Sequence, residues 1–118
     1  MLEWRIIEEA RVDSGNLSAE RLANALGITL TQLARVVNKD SSNLRKRPDA
    51  DVYQAELSEV EEVLALVRDQ VGTLERARMW LKKPNAGLGG MSPLVVMEDG
   101  HTDRVKGLLV SVLEGVPA

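Results

Sequence analysis

The residue types best suited to chemistry lie in one short segment that joins hydrogen-bonding side chains to a run of cations. These residues are Ser41, Ser42, Asn43, Arg45, Lys46 and Arg47. Asparagine and serine can hydrogen-bond to base edges in the major groove of DNA, whereas arginine and lysine hold phosphates. Taken alone, the three cations are better explained as a solvated helix end, where they oppose the helix dipole. The neighbouring pattern decides between these interpretations.

The charge of the chain is unevenly distributed around this segment. Residues 31–48 contain five cations and one carboxylate, a net charge of +4, although the whole chain of 118 residues carries −3. The remainder therefore carries −7. A basic element on an acidic body is typical of a small protein that meets nucleic acid on one side.

Few residues are available for catalysis or metal binding. The chain has one histidine, His101, one tyrosine, Tyr53, and no cysteine. His101 lies between Asp99 and Asp103, but one histidine with loosely spaced carboxylates is a weak metal pattern, and a polar cluster at a helix start is favoured. We therefore predict no catalytic residue, no metal and no cofactor.

The elements that must position the basic segment are short helices with clear end signals. Ser18 is a predicted N-cap, and Gly27 a left-handed residue that ends the first helix. Thr29 and Gln32 have capping-box spacing for a second helix, whose apolar face carries Leu30, Leu33, Ala34 and Val37. A polar turn then leads into the basic helix, anchored by Leu44 and stopped by Pro48. This succession predicts a helix-turn-helix that also presents Thr31 and Gln32 to DNA.

The rest of the chain is predicted to be helical as well. Residues 2–12 fit an amphipathic helix or a short strand equally well. A long helix follows with apolar residues at Leu57, Val60, Val63, Leu64, Val67 and Val71. Its carboxylates are predicted to lie on a solvated outer face: Glu56, Glu59, Glu61, Glu62 and Asp69. Gly72 breaks this helix, and the next one is predicted to bury Leu74, Ala77, Trp80 and Leu81.

The C-terminal third begins with a rigid loop. Pro84 and three glycines specify its backbone, and Ser92-Pro93 is an N-cap followed by a first-turn proline. The last helix has the clearest apolar periodicity in the chain, at Val105, Leu108, Leu109, Val112 and Leu113. Gly115 is predicted to end it, so that Val116-Pro117-Ala118 leaves as a stiff, extended tail.

The overall expectation is an all-α protein of one compact domain or two small helical subdomains. No apolar run approaches membrane-spanning length and the N-terminus lacks the pattern of a signal peptide, so we expect a soluble, cytoplasmic protein. Four segments are predicted: an N-terminal arm (1–16), a helix-turn-helix region (17–50), a connecting helix (51–72) and a C-terminal domain with its tail (73–118).

The C-terminal half resembles the toxin-binding domain of the Xre/MbcA/ParS antitoxin family, the partners of RES-domain toxins. The resemblance depends on Trp80-Leu81, Pro84-Asn85, Leu88-Gly89-Gly90, Ser92-Pro93-Leu94, Asp99-Gly100, Val105, Leu108-Leu109 and Glu114-Gly115-Val116. Residues 18–48 resemble the family's Xre-like helix-turn-helix. One departure is the turn at residues 37–40, which lacks the glycine often found there.

The resemblance implies an antitoxin that is not itself an enzyme. Its C-terminal domain would bind a RES-domain toxin that consumes NAD, and the helix-turn-helix would bind operator DNA and repress the operon, most simply as a homodimer or within a larger complex with the toxin. The family's tail enters the NAD pocket of the toxin. The residues that correspond here are Glu114, Gly115, Val116, Pro117 and Ala118, with Asn85 and Leu88 as a rim.

Two alternatives stay open from the sequence. One is a stand-alone helix-turn-helix regulator whose C-terminal domain binds another protein. The other is a small enzyme that acts on a nucleotide. Neither the operator sequence, the stoichiometry of a toxin complex nor the toxin's reaction follows from the residues.

Overall fold

The computed structural model describes residues 6–113, without the side chain of Leu113. Seven α-helices and no β-strand occur in that range, which confirms the all-α prediction. The helices are α1 (Ala19–Leu26), α2 (Leu30–Val37), α3 (Ser41–Lys46), α4 (Gln54–Val71), α5 (Leu74–Lys82), α6 (Pro93–Glu98) and α7 (Thr102–Leu113). Within this described part, no helix has the length and apolar character needed to cross a membrane.

The ends of the first two helices follow the predicted signals. The Ser18 hydroxyl accepts a hydrogen bond from the Arg21 amide, and Gly27 ends α1 in the left-handed region with φ 71°. Thr29 and Gln32 form the predicted capping box, in which each side chain accepts from the other residue's backbone N–H. Local sequence therefore fixes both boundaries of the α1–α2 turn.

In its described part, residues 6–16, the N-terminal arm forms neither the amphipathic helix nor the regular strand that the sequence left open. It makes one 3-10 turn, Glu8–Ala10, and then an isolated antiparallel bridge between Arg11 and Leu17. The arm crosses α4 at Glu61, whose carboxylate accepts from the Ile7 amide at 2.9 Å and from the Arg11 guanidinium at 3.0 and 2.7 Å. Glu61 is only 3% exposed, so its predicted place on a solvated face was wrong.

One apolar core joins the N-terminal and C-terminal helices. Leu22 and Leu33 from the first helices belong to the same buried cluster as Leu64, Leu81 and Leu109. Two basic side chains from α5 add polar contacts to α1. Arg78 Nε donates to the Ala25 carbonyl at 2.7 Å, and Lys82 Nζ donates to the Gly27 carbonyl at 2.6 Å. Because the C-terminal carbonyls of a helix lack partners within it, these cations stabilise the end of α1.

The loop between α5 and α6 packs closely against α7. The Asn85 side chain accepts from the Gly87 amide, and a Cβ at Gly87 would lie 3.0 Å from Leu108 Cδ1. The loop backbone at Gly87 therefore packs directly against the Leu108 side chain of the last helix. Ser92 caps α6 and Pro93 occupies its first turn, as predicted.

The last helix lies along the long one. Lys106 Nζ pairs with Glu62 Oε1 at 2.5 Å, and Gln70 Nε2 donates to the Leu109 carbonyl at 3.4 Å. Along this contact, α7 and α4 therefore run in the same direction. Val112 was predicted on the buried face but is 50% exposed, because the apolar contacts of α7 are concentrated in its first two turns, at Val105 and Leu109.

Candidate functional site

The basic helix α3 begins at a tight polar cap. Asp40 Oδ1 accepts from the Ser42 amide at 2.7 Å and from the Ser42 hydroxyl at 2.6 Å. The hydrogen bond from the Ser42 hydroxyl is the main cause of a lowered pKa at Asp40, followed by the one from the Ser42 amide. The predicted base-contacting hydroxyl of Ser42 is thus engaged within the protein, while Asn43 is exposed.

The turn before α3 has no glycine, but one of its residues adopts the left-handed backbone conformation that a glycine would allow. Asn38 is in the left-handed region with φ 55°. Asparagine tolerates this conformation better than other residues that carry a side chain. Asn38 therefore takes the backbone role that a glycine would have, and Leu44 is fully buried as the predicted anchor of α3.

The five cations of residues 31–48 fall into two groups, of which only the second was predicted to meet DNA. Arg35 pairs with Glu98 at 2.9 Å, and Lys39 pairs with Glu56 at 3.2 Å. The pKa of Glu56 is lowered, first by a backbone hydrogen bond at its own residue and then by Lys39. Arg45, Lys46 and Arg47 are exposed together at the end of α3. The local excess of positive charge is therefore presented by α3 and not by α2.

The two predicted DNA-facing residues on α2 differ in availability. Thr31 is exposed, whereas Gln32 is half-buried and its side-chain oxygen accepts from the Thr29 amide. An acidic cleft of about 430 Å³ lies beside α2, between α4 and the α6–α7 turn, and Glu59, Glu98 and Asp99 are among the residues that line it. Negative charge there disfavours a phosphate backbone, so α3 is the better-placed surface.

The predicted toxin-facing residues lie in different environments. Asn85 is half-buried and ordered by its bond from Gly87. Leu88 is 3% exposed and belongs to the core, so a direct contact with a partner would require it to leave that core. The five tail residues, Glu114, Gly115, Val116, Pro117 and Ala118, lie outside the described residues. Within residues 6–113, no group of three histidine, aspartate or glutamate side chains could hold a metal.

The exposed side of α5 was not predicted from the sequence as a possible binding surface. Helix α5 buries Ala77 and Leu81, as predicted, but Met79 is 51% exposed and Trp80 is half-buried. These two side chains line a surface pocket of about 240 Å³ with Val71, Arg76 and Lys83. The signal was present in the spacing, since Arg76, Met79 and Trp80 are at i, i+3 and i+4 and share a second face of the helix. Lys83 follows the helix directly and lines the same pocket.

Comparisons with known proteins concern the C-terminal half and the overall fold. Residues 65–115 match the family model of the antitoxin Xre/MbcA/ParS C-terminal toxin-binding domain. The fold is similar to that of a chain in the crystal structure of the M. tuberculosis MbcT-MbcA toxin-antitoxin complex, with a TM-score of 0.56 and 24% identity over 85% of this chain and 96% of that chain. No curated protein sequence matches this chain. The family match confirms the resemblance found in the C-terminal half.

Proposed function

Starting from the Xre/MbcA/ParS toxin-binding domain in residues 65–115, we propose that this chain is the antitoxin of a toxin–antitoxin system. In this proposal the C-terminal half binds a RES-domain toxin that consumes NAD, and the toxin is the enzyme of the pair. The observation that carries the proposal is the family match, which spans α5, the α5–α6 loop, α6 and α7. Buried residues of these elements belong to the same apolar core as those of the N-terminal helices.

The proposed inhibitory element is the tail at residues 114–118. The described part of α7 reaches Leu113, and the five tail residues follow directly from this helix, which Lys106 and Gln70 fix against α4. Pro117 limits the conformations open to the tail, which reduces the entropy lost on docking. A carboxylate at Ala118 resembles part of an anionic cofactor when it faces cationic groups. The tail would thus compete with NAD.

Co-expression tests this proposal directly. The toxin would be the RES-domain product encoded beside this chain, co-expressed with the full-length chain or with a chain lacking residues 116–118. The full-length chain is expected to co-purify with the toxin and to restore growth. The shortened chain is expected to bind through α5–α7 but to leave NAD consumption largely intact.

The outcomes separate the two parts of the proposal. Failure of the full-length chain to bind the toxin would refute the antitoxin role. Binding with undiminished inhibition by the shortened chain would refute the blocking tail alone. Turnover of NAD by the purified chain without any partner would favour the nucleotide-enzyme alternative.

The second proposed activity is operator binding by the helix-turn-helix. The exposed cations at the end of α3 support it, since Arg45, Lys46 and Arg47 project from a helix anchored by Leu44. Asn43 and Thr31 are the exposed side chains best suited to base edges, and a homodimer would supply two such motifs to a two-fold operator. This activity is shared by the alternative, a stand-alone regulator with a protein-binding C-terminal domain.

Salt dependence distinguishes phosphate contacts from a solvated helix end. Alanine at positions 45, 46 and 47 is expected to weaken binding to the upstream DNA and to reduce the slope of log affinity against log salt by about 1 for each phosphate that is no longer neutralised. Arg104→Ala, at an exposed cation on α7, is the matched control. An unchanged slope in the triple variant would assign the three cations to solvent.

A further inference from the structure

We propose that the outer face of α5 is a second docking surface for the toxin, and that it takes an acidic segment carrying an apolar side chain. This surface, the α5 stripe, consists of Arg76, Met79, Trp80 and Lys83. The proposal depends on the antitoxin function proposed above and adds to it a contact separate from the tail.

The α5 stripe is unusual because α5 carries apolar residues on two faces. Ala77 and Leu81 are completely or almost completely buried, and the half-buried Trp80 packs partly against the same core, so the core contacts of this helix do not require Met79. Met79 nevertheless exposes half of its surface beside Trp80, over a pocket of about 240 Å³. Tryptophan, methionine and arginine are enriched in the centres of protein interfaces, where a pocket receives a partner's side chain.

The position of the α5 stripe connects it to the proposed tail contact. Val71 lines the stripe's pocket and is adjacent to Gln70, which donates to the Leu109 carbonyl of α7. Leu113 is one helical turn beyond Leu109, so the tail begins at the same end of the molecule as the pocket. Five extended residues reach about 17 Å. A protein that takes the tail is therefore held next to the α5 stripe.

Charge indicates the chemistry of the occupant. Arg76 and Lys83 flank Met79 and Trp80, one at each end of the α5 stripe, although the chain as a whole carries −3. In a two-fold contact between copies of this chain, antiparallel α5 helices would place Arg76 of one copy near Lys83 of the other. Like charges at such a contact are unfavourable. An acidic segment of the toxin can instead form ion pairs with both cations and bury an apolar side chain in the pocket.

Affinity measurements with the purified full-length chain and the toxin of the co-expression experiment test the α5 stripe. Met79→Glu is expected to raise the Kd for the toxin at least tenfold, and Lys83→Glu several-fold, with the second effect shrinking at high salt. Arg76 is left intact because its guanidinium also donates to the Val71 carbonyl. Val52→Glu is the control, since Val52 is 71% exposed on the opposite half of the chain. Thermal unfolding and sedimentation are recorded for each variant alone.

A spectroscopic signal at Trp80 provides a second measurement. The chain has two tryptophans, so Trp4→Phe leaves Trp80 as the only site for fluorotryptophan. Addition of unlabelled toxin is expected to move the ¹⁹F resonance of Trp80.

Each outcome decides the proposal. Wild-type binding with an unmoved resonance and an unchanged Kd for Met79→Glu overturns the α5 stripe but leaves the antitoxin function standing. Absence of wild-type binding overturns both. A wild-type dimer that Met79→Glu dissociates without toxin overturns the acidic occupant, because a second copy then covers this face.

Discussion

Replacing Glu61 is expected to produce a large loss of stability. The residue joins the N-terminal arm to α4, with three hydrogen bonds between 2.7 and 3.0 Å and 3% exposure. Glu61→Ala leaves the Ile7 amide buried without its acceptor and removes the partner of Arg11. A hydrogen bond to a charged group contributes about 1.5–3 kcal/mol. The partly exposed Arg11 pair adds about 1 kcal/mol, because solvent screens it.

The combined loss is therefore about 2.5–4 kcal/mol in the free energy of unfolding. For a domain of this size, about 4 °C of melting temperature corresponds to each kcal/mol, so Tm is expected to fall by about 10–16 °C. Urea unfolding followed by circular dichroism at 222 nm measures the loss, and calorimetry measures the Tm. Glu59→Ala, at an exposed carboxylate on the same helix, is the control and is expected to change stability by less than about 0.5 kcal/mol.

A double-mutant cycle identifies the source of the loss. Arg11→Met alone and combined with Glu61→Ala should give a coupling energy of about 1 kcal/mol between the two side chains. A loss below about 1 kcal/mol for Glu61→Ala would refute the reasoning, since it would mean that the arm does not depend on the buried carboxylate.

Two further predictions concern the helix ends. Gly27→Ala and Gly89→Ala place a side chain at similar left-handed backbone angles, φ 71° and 66°, and each is expected to cost about 1 kcal/mol of stability. Gly27→Ala should cost more in chemical denaturation because its Cβ would lie 3.0 Å from Arg78 Cδ, whereas nothing lies within 4 Å at Gly89; equal losses would contradict the close packing of α5 on α1. The Asp40 cap should titrate below its ordinary pKa of 3.8, so its contribution to stability is present above that pH and is lost as the pH falls through the lowered value. The Ser42 amide resonance reports this titration, and a midpoint at or above 3.8 would contradict the cap.

The boundaries of the helices could be predicted because their signals are local. Ser18, Thr29 and Ser92 each accept from the amide three residues further on, and the Gly27 amide donates to carbonyls three and four residues back. Spacing along the chain is enough to identify them. The same holds for the family resemblance, which depends on a fixed order of loop residues.

The contacts that could not be predicted join residues far apart in the chain. Glu61 lies 54 residues from Ile7, and Arg78 lies 53 residues from Ala25. Helical periodicity places Glu61 beside other acids of α4, and nothing in that pattern indicates that an arm will cross there. Trp80 presents a related difficulty, because one helix can hold two apolar faces and spacing does not say which one is buried.

The contacts of α5 with the end of α1 have a consequence for recombination between related genes. A chimera that joined residues 1–50 of one such protein to the C-terminal half of another would replace Arg78 and Lys82 while keeping the carbonyls of Ala25 and Gly27 that they cap. A chimera that keeps its stability would then require both sides of this junction to be exchanged together. Related genes should therefore inherit the α1–α2 turn together with the cations at positions 78 and 82.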